Sequence, residues 1–273
     1  MGSTSISISS SEAPPAPKES PQLRRWRRLL LLTALLVVTF VNAAHVVRVQ
    51  AYFHLQLSRV FYGCRTLEKS HVDPNFYRND ACLTRGQVLT IIKELVFTAA
   101  DAFDAHNVTY FLDSGTLLGA FRNQSVITHD IDADMGIDAA GLHYLQHHAV
   151  GFPKEYAFTV WNSSLYPHSD RDDKLPARLV HKDSGIYLDV FAFLDWQDNT
   201  VGPLPSWCFL NCAGCPKLES GEKLLHVPRD WIYPAVNCSF EGRTTLKCPQ
   251  TTERYLEYTF GEDFMTPIKY TYR

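Results

Sequence analysis

Between Phe111 and Asp138 the chain reads FLDSGTLLGAFRNQSVITHDIDADMGID, and three carboxylates in it alternate: Asp130, Asp132 and Asp134. In an extended strand, side chains two apart share a face. The spacing therefore predicts one acidic face, with Ile131, Ala133 and Met135 on the other. Carboxylates crowded together repel, and a hard cation such as Mg²⁺ or Mn²⁺ relieves that repulsion. A solvated edge strand fits poorly, because Val126, Ile127, Ile131, Met135 and Ile137 make the flanks apolar. A calcium loop fails as well. Counted from Asp130, its obligatory glycine and glutamate positions hold Met135 and Gly141.

Upstream lies a turn, Asp113-Ser114-Gly115, opening a helix over Thr116 to Phe121. The first N–H groups of a helix have no intrahelical partner and suit a phosphate. Gly115 lets backbone approach a ligand closely, so Gly115 and Thr116 are candidate substrate-binding residues. Arg122 has two readings, a phosphate contact or a surface ion pair. Downstream, Arg178 to Lys182 and Gly185 to Phe193 read as a hairpin around Asp183-Ser184-Gly185. In its second strand Asp189 interrupts an otherwise apolar run, Ile186 to Phe193. A carboxylate there needs a partner. Arg178 is one possibility and a metal ion is the other; beside the aspartate triplet, the metal is preferred.

These residues carry a resemblance. GTLLGAFRN followed by HDIDADMGI, and later YLDVF, resembles the LicD family of phosphotransferases, the group of fukutin and fukutin-related protein. The tail around Phe260-Gly261-Glu262-Asp263-Phe264 is similar to that family's ending. The resemblance runs from about Thr84 to Pro267 and implies an α+β fold: a polymerase-β-like nucleotidyltransferase mixed sheet with flanking helices. Asp134-Met135-Gly136 matches the end of the family's Asp-x-Asp strand, so Asp132 and Asp134 are its metal-binding pair. Asp189 is its third carboxylate, and Asp130 has a supporting role. The implied activity is Mg²⁺- or Mn²⁺-dependent transfer of a phospho-alcohol from a CDP-activated donor to a glycan hydroxyl, on a glycoprotein or glycolipid, with release of CMP. His129 is a candidate acceptor of the hydroxyl proton, or simply structural. Two alternatives stay open: transfer of the nucleoside monophosphate itself, and a non-catalytic lumenal glycan-binding protein.

The remaining chain speaks to compartment. Residues 1–28 read as a cytosolic tail, Ser- and Pro-rich at first and ending in Arg24, Arg25, Arg27 and Arg28. The apolar run Leu29 to Val47 is long enough to span a bilayer core. Arginines before it place the N-terminus in the cytosol, giving a single-pass type II protein. An uncleaved anchor is preferred to a signal peptide with its core at Leu29 to Val41. The short span favours Golgi or endoplasmic reticulum. A lumenal stem is expected over residues 48–83 and the catalytic domain over 84–273. Seven cysteines and four glycosylation sequons, at Asn107, Asn123, Asn162 and Asn237, agree with a lumenal address. Disulfides are preferred to zinc, with connectivity open. A net charge of -3 argues against a nucleic-acid partner.

Two further readings concern local structure. Thr84 and Gln87 have capping-box spacing, and Val88, Ile91, Ile92, Leu95, Ala99, Ala102 and Phe103 follow at helical spacing. His143, His147 and His148 lie on a helix over Ala139 to Ala149 and read as surface residues.

Overall fold

The computed structural model describes residues 20–64, 67, 71–78, 81–166 and 170–267. The tail before Ser20 lies outside the described residues, as do residues 167–169. Two compact units are present, residues 1–57 and 58–273.

The first unit is dominated by α1 (Pro21–Tyr62), a 42-residue helix that runs on beyond the expected span into the expected stem. Its stretch from Pro21 to Ser58 is long and apolar enough to cross a membrane, with its side chains unburied by protein. The polar interruptions are dealt with locally. Thr33, Thr39 and Asn42 donate to the carbonyls of Leu29, Leu35 and Val38 at 2.8, 3.0 and 2.8 Å. Side chains that return their hydrogen bonds to the preceding turn cost little in lipid.

The second unit opens with α2 (Arg85–Ala105), whose N-terminus carries the expected capping box between Thr84 and Gln87. Its apolar stripe, including Val88, Ile92, Leu95, Val96 and Phe103, is buried. There follow β1 (Tyr110–Leu112), α3 (Ser114–Asn123), β2 (Ala133–Asp138), α4 (Ala139–His147), β3 (Tyr156–Val160), β4 (Ala177–His181) and β5 (Tyr187–Asp195). The last two form the expected hairpin, with Gly185 at a positive φ of 74° in its turn. Next come β6 (Thr200–Gly202), β7 (Val227–Pro228) and the short α5 (Arg229–Ile232). A ribbon of β8 (Val236–Phe240) and β9 (Arg243–Cys248) and the closing helix α6 (Thr252–Phe260) complete the unit.

Five strands run in the order β1-β2-β5-β4-β3, and β6 and β7 continue the sheet from the end of β5. β2 and β5 are parallel, and the other pairs are antiparallel. This is a mixed sheet flanked by helices, α2 and α4 both packing on it. The parallel pair is central, and it is buried as such pairs require: Ala133, Met135, Ile137, Leu188 and Val190 are all inaccessible.

The aspartate triplet departs from expectation in its backbone. Only Asp134 lies within β2, while Asp130 and Asp132 precede it. A turn closed by Asp130 N–H to the Ile127 carbonyl occupies this stretch. Arg85 of α2 donates to the carbonyls of Ile127, Thr128 and Asp130, which takes the place of a strand partner. Six of the seven cysteines are also resolved into pairs, Cys64–Cys82, Cys212–Cys215 and Cys238–Cys248, with Cys208 free and exposed.

Gly136 of β2 lies opposite Phe111 of β1. A Cβ there would fall 2.2 Å from the Phe111 ring. That ring is itself wedged edge-on against Phe193 and Tyr233 and has nowhere to go. Gly136→Ala is therefore expected to destabilise the domain by about 1–3 kcal/mol through overpacking, read as a fall in the thermal unfolding midpoint.

Candidate active site

The parallel register places Asp134 directly beside Asp189. Side chains at paired positions of adjacent strands leave the sheet on the same side. Asp132, two residues earlier, stands close enough for its charge to act on both. Burial pushes the Asp132 carboxyl up to about 7, and the charges of Asp130 and Asp189 add to the rise. Asp134 is driven well above the usual carboxylate range, first by burial and then by Asp132, Asp189, Asp113 and Asp130. Such mutual elevation is the signature of acids sharing one site without enough positive charge.

The start of α3 is stitched to this site. The Asp134 N–H donates to Thr116 Oγ1 at 2.9 Å, and its carbonyl accepts from the Asp113 N–H at 3.2 Å. Thr116 thus fixes the backbone of the metal-ligand candidate. Gly115 is where α3 meets Asp130: a Cβ there would sit 2.8 Å from Asp130 Oδ2. The residue before it, Ser114, takes a positive φ of 46° to make the turn. Burial raises the Asp130 carboxyl, against the Ile131 N–H, His129 and Arg85, which pull it down. Arg122 is not brought here. It sits in the last turn of α3 and donates to the carbonyls of Phe264 and Thr266, holding the chain after α6.

Asp189 has the guanidinium partner considered from the sequence. Arg178 Nε donates to Oδ1 at 2.5 Å and Nη2 to Oδ2 at 3.0 Å. Burial still raises the Asp189 carboxyl, with the Arg178 bonds and charge and the Arg171 charge opposing. Arg171 comes from the polar loop before β4, its side chain mostly covered and paired with Asp170.

Sequence reasoning passed over Asp113, reading it only as part of a turn. It is 1% exposed and caps α3 through Ser114 N–H. Its Oδ1 also accepts from the Tyr255 hydroxyl of α6 at 2.6 Å, while Oδ2 is buried with no partner among the described residues. The signal was faint, an Asp before Ser-Gly-Thr, because Tyr255 is more than a hundred residues away.

All these donors are carboxylate oxygens, the set a hard divalent ion takes, and the orphaned Asp113 oxygen beside Asp134 marks uncompensated polarity. The carboxylates are not drawn tight, however. Among the described residues no three His, Cys, Asp or Glu side chains are gathered into a ready-made metal site. The chemistry of the donors fits Mg²⁺ or Mn²⁺, and Asp132 and Asp134 are the two least committed to other partners.

A mixed sheet with clustered acids beside a helix start is a setting that transferases acting on phosphate esters use. The comparisons make the class specific. The model described as "LicD/FKTN/FKRP, nucleotidyltransferase domain" matches residues 107–251, just over half of the chain. The chain belongs to the LicD family. It is 25% identical over 182 residues to ribitol-5-phosphate transferase FKTN of Homo sapiens, and equally to that of Macaca fascicularis. Each alignment covers 65% of this chain and 34% of the relative, so the chain spans about a third of the length of the curated relatives it matches. A crystal structure of ANT(2″)-Ia in complex with adenylyl-2″-tobramycin aligns over 59% of this chain and 69% of its own. Its identity is 15% and its TM-score 0.32, a likeness too slight to carry argument.

Burial pushes Asp113 up to about 6, against the hydrogen bonds from Tyr255 and Ser114. An unfolded aspartate titrates near 3.8. Between these values the folded state binds more protons than the unfolded one, so stability falls as pH rises through that window. Asp113→Asn retains the Oδ1 acceptor and loses the titration. Its thermal midpoint should fall less steeply than that of the wild type as pH rises through the window, the difference corresponding to at most about 3 kcal/mol.

Proposed function

We propose that this protein transfers a phospho-alcohol from a CDP-activated donor to a hydroxyl group of a glycan and releases CMP. The observation that carries the reading is the pairing of Asp134 with Asp189 across β2 and β5, with Asp132 beside them and the start of α3 bound to Asp134. Family membership supports transferase chemistry of this type.

Asp132 and Asp134 would hold Mg²⁺ or Mn²⁺, with Asp189 completing the set. When bound, the ions neutralise phosphate charge and make the acceptor hydroxyl easier to deprotonate. The protein's own part is positioning, which phosphoryl transfer chiefly demands. Thr116 and the Asp113 backbone hold Asp134 in place. Gly115 leaves room at the helix start, where N–H groups favour an anionic ligand. The acceptor oxygen attacks the phosphorus of the alcohol phosphate, that phosphorus parts from the CMP oxygen, and the hydroxyl proton leaves. His129, in the turn beside Asp130, stands as a candidate acceptor for it.

The address proposed is a Golgi or endoplasmic reticulum membrane, with α1 as a single anchor and the second unit in the lumen. The apolar helix behind a cluster of arginines supports that orientation. Three disulfides support an oxidising compartment.

The test is CMP release by the full chain in detergent, with a panel of CDP-alcohols and a mixed glycan acceptor, with and without Mn²⁺ or Mg²⁺. CDP-ribitol heads the panel because the relatives are named for ribitol 5-phosphate. Release should require the metal and one donor, and should fall to background in Asp134→Asn and Asp132→Asn without loss of folding. Turnover retained in either variant would overturn the assignment. Cytidylated acceptor in place of free CMP would identify transfer of the nucleotide itself.

A further inference from the structure

Arg178 is held from three sides. Its guanidinium grips both oxygens of Asp189, lies 3.6 Å above the centre of the Tyr187 ring, and reaches Asp73 Oδ2 at 3.4 Å. Arg178, Asp189 and Asp73 are all buried, at 8%, 7% and 3% exposure. Asp73 comes from the segment that the sequence reads as stem. That segment is docked on the β4–β5 turn: Asp73 N–H donates to the Gly185 carbonyl at 2.9 Å, and Val72 and the Phe76 carbonyl pack where a Gly185 side chain would stand. The Cys64–Cys82 disulfide closes the segment into a loop.

A buried carboxylate that close to a cation is an investment in position, since surface pairs add little and buried ones are costly to bring out of water. An ionised carboxylate has about four acceptor positions and a guanidinium fork takes two. Asp189 therefore keeps acceptor positions that Arg178 does not take, beside its register partner Asp134. How much of its charge remains for a metal depends on how far Arg178 is satisfied elsewhere, and Asp73 is the second anion that shares it.

We propose that Arg178 and Asp73 are positioning residues for the carboxylate site. Arg178 acts as a built-in counter-ion to Asp189, and Asp73, delivered by the docked segment, draws part of that charge away so that Asp189 can serve a divalent cation. This rests on the reading of Asp132, Asp134 and Asp189 as the metal site.

The two residues act with opposite sign, which a merely structural role would not produce. Without Asp73 the whole charge of Arg178 falls on Asp189, so Asp73→Asn should weaken Mn²⁺ binding about 10-fold, the scale of supporting residues around metal ligands. Removing the guanidinium leaves the acids more negative. Arg178→Met should therefore tighten Mn²⁺ binding, lower the thermal midpoint of the metal-free protein, and show a larger rise in that midpoint with Mn²⁺ than the wild type. The double variant should match Arg178→Met, because Asp73 works through Arg178.

The experiment measures Mn²⁺ binding by electron paramagnetic resonance and thermal unfolding on the detergent-solubilised full chain, with Asp134→Asn as reference. If Arg178→Met does not fold, Asp73→Asn and Arg178→Lys, which keeps the charge and loses the fork, still decide: wild-type Mn²⁺ affinity in both overturns the proposal. Affinity shifts of the same sign in Asp73→Asn and Arg178→Met also overturn it. Mn²⁺ binding that is absent in the wild type, or unchanged in Asp134→Asn, overturns the metal reading and this inference with it. Binding lost in Asp134→Asn but untouched in the Asp73 and Arg178 variants leaves the metal reading standing and removes only the inference.

Discussion

Like charges confined to one partly dry site must be compensated, and the catalytic unit is organised around that constraint. Asp113, Asp130, Asp132, Asp134 and Asp189 come from two strands and two connecting segments, and their charges meet at Asp132 and Asp134. In water such repulsion is weak; out of water it is severe. The structure answers it with fixed partners. Arg178 forks onto Asp189, Tyr255 and a backbone N–H take one oxygen of Asp113, and Arg85 and Arg171 add their charge from nearby segments. Compensation remains incomplete at Asp132 and Asp134 and at the unpartnered Oδ2 of Asp113.

The same partners explain why so much of the chain converges on the start of the central parallel pair. α3 is bound to β2 through Thr116 and Asp113, the last helix reaches Asp113 through Tyr255, and the segment near Asp73 arrives through Arg178. Each link spans a long stretch of sequence and carries a polar group into the interior. Polar links of this kind are costly unless fully paired, and once paired they define a single arrangement. Arg122 illustrates the economy of the design. Its guanidinium serves the chain after α6.

Local pattern was legible wherever a single element decided it. The capping box at Thr84, the apolar stripe of α2 and the hairpin around Ser184 all follow from short-range chemistry, and all are present, whereas the turn expected over Asp113-Ser114-Gly115 is the N-cap and first two residues of α3. The aspartate triplet was legible as an acidic cluster but not as a backbone. Alternation predicts a strand from Asp130, whereas Arg85 binds the carbonyls there and β2 begins at Ala133. No pattern within the triplet could announce an arginine from another helix. For Asp189 the residues allowed two partners. The structure seats Arg178 upon it, because the antiparallel register sets Arg178 directly beside Asp189.

By itself the sequence determined the family, the apolar helix, the acidic character of the site and most helices and turns, since these rest on periodicity, composition and short motifs. Tertiary structure alone decided that Asp134 faces Asp189, that Asp113 is a buried acid tied to Tyr255, that Arg122 turns away from the site, and that Asp73 reaches Arg178. The physical reason is common to all four. Each depends on a pairing between distant segments, fixed by strand register and by the need of buried polar groups for partners, and neither is written in any one stretch of the chain.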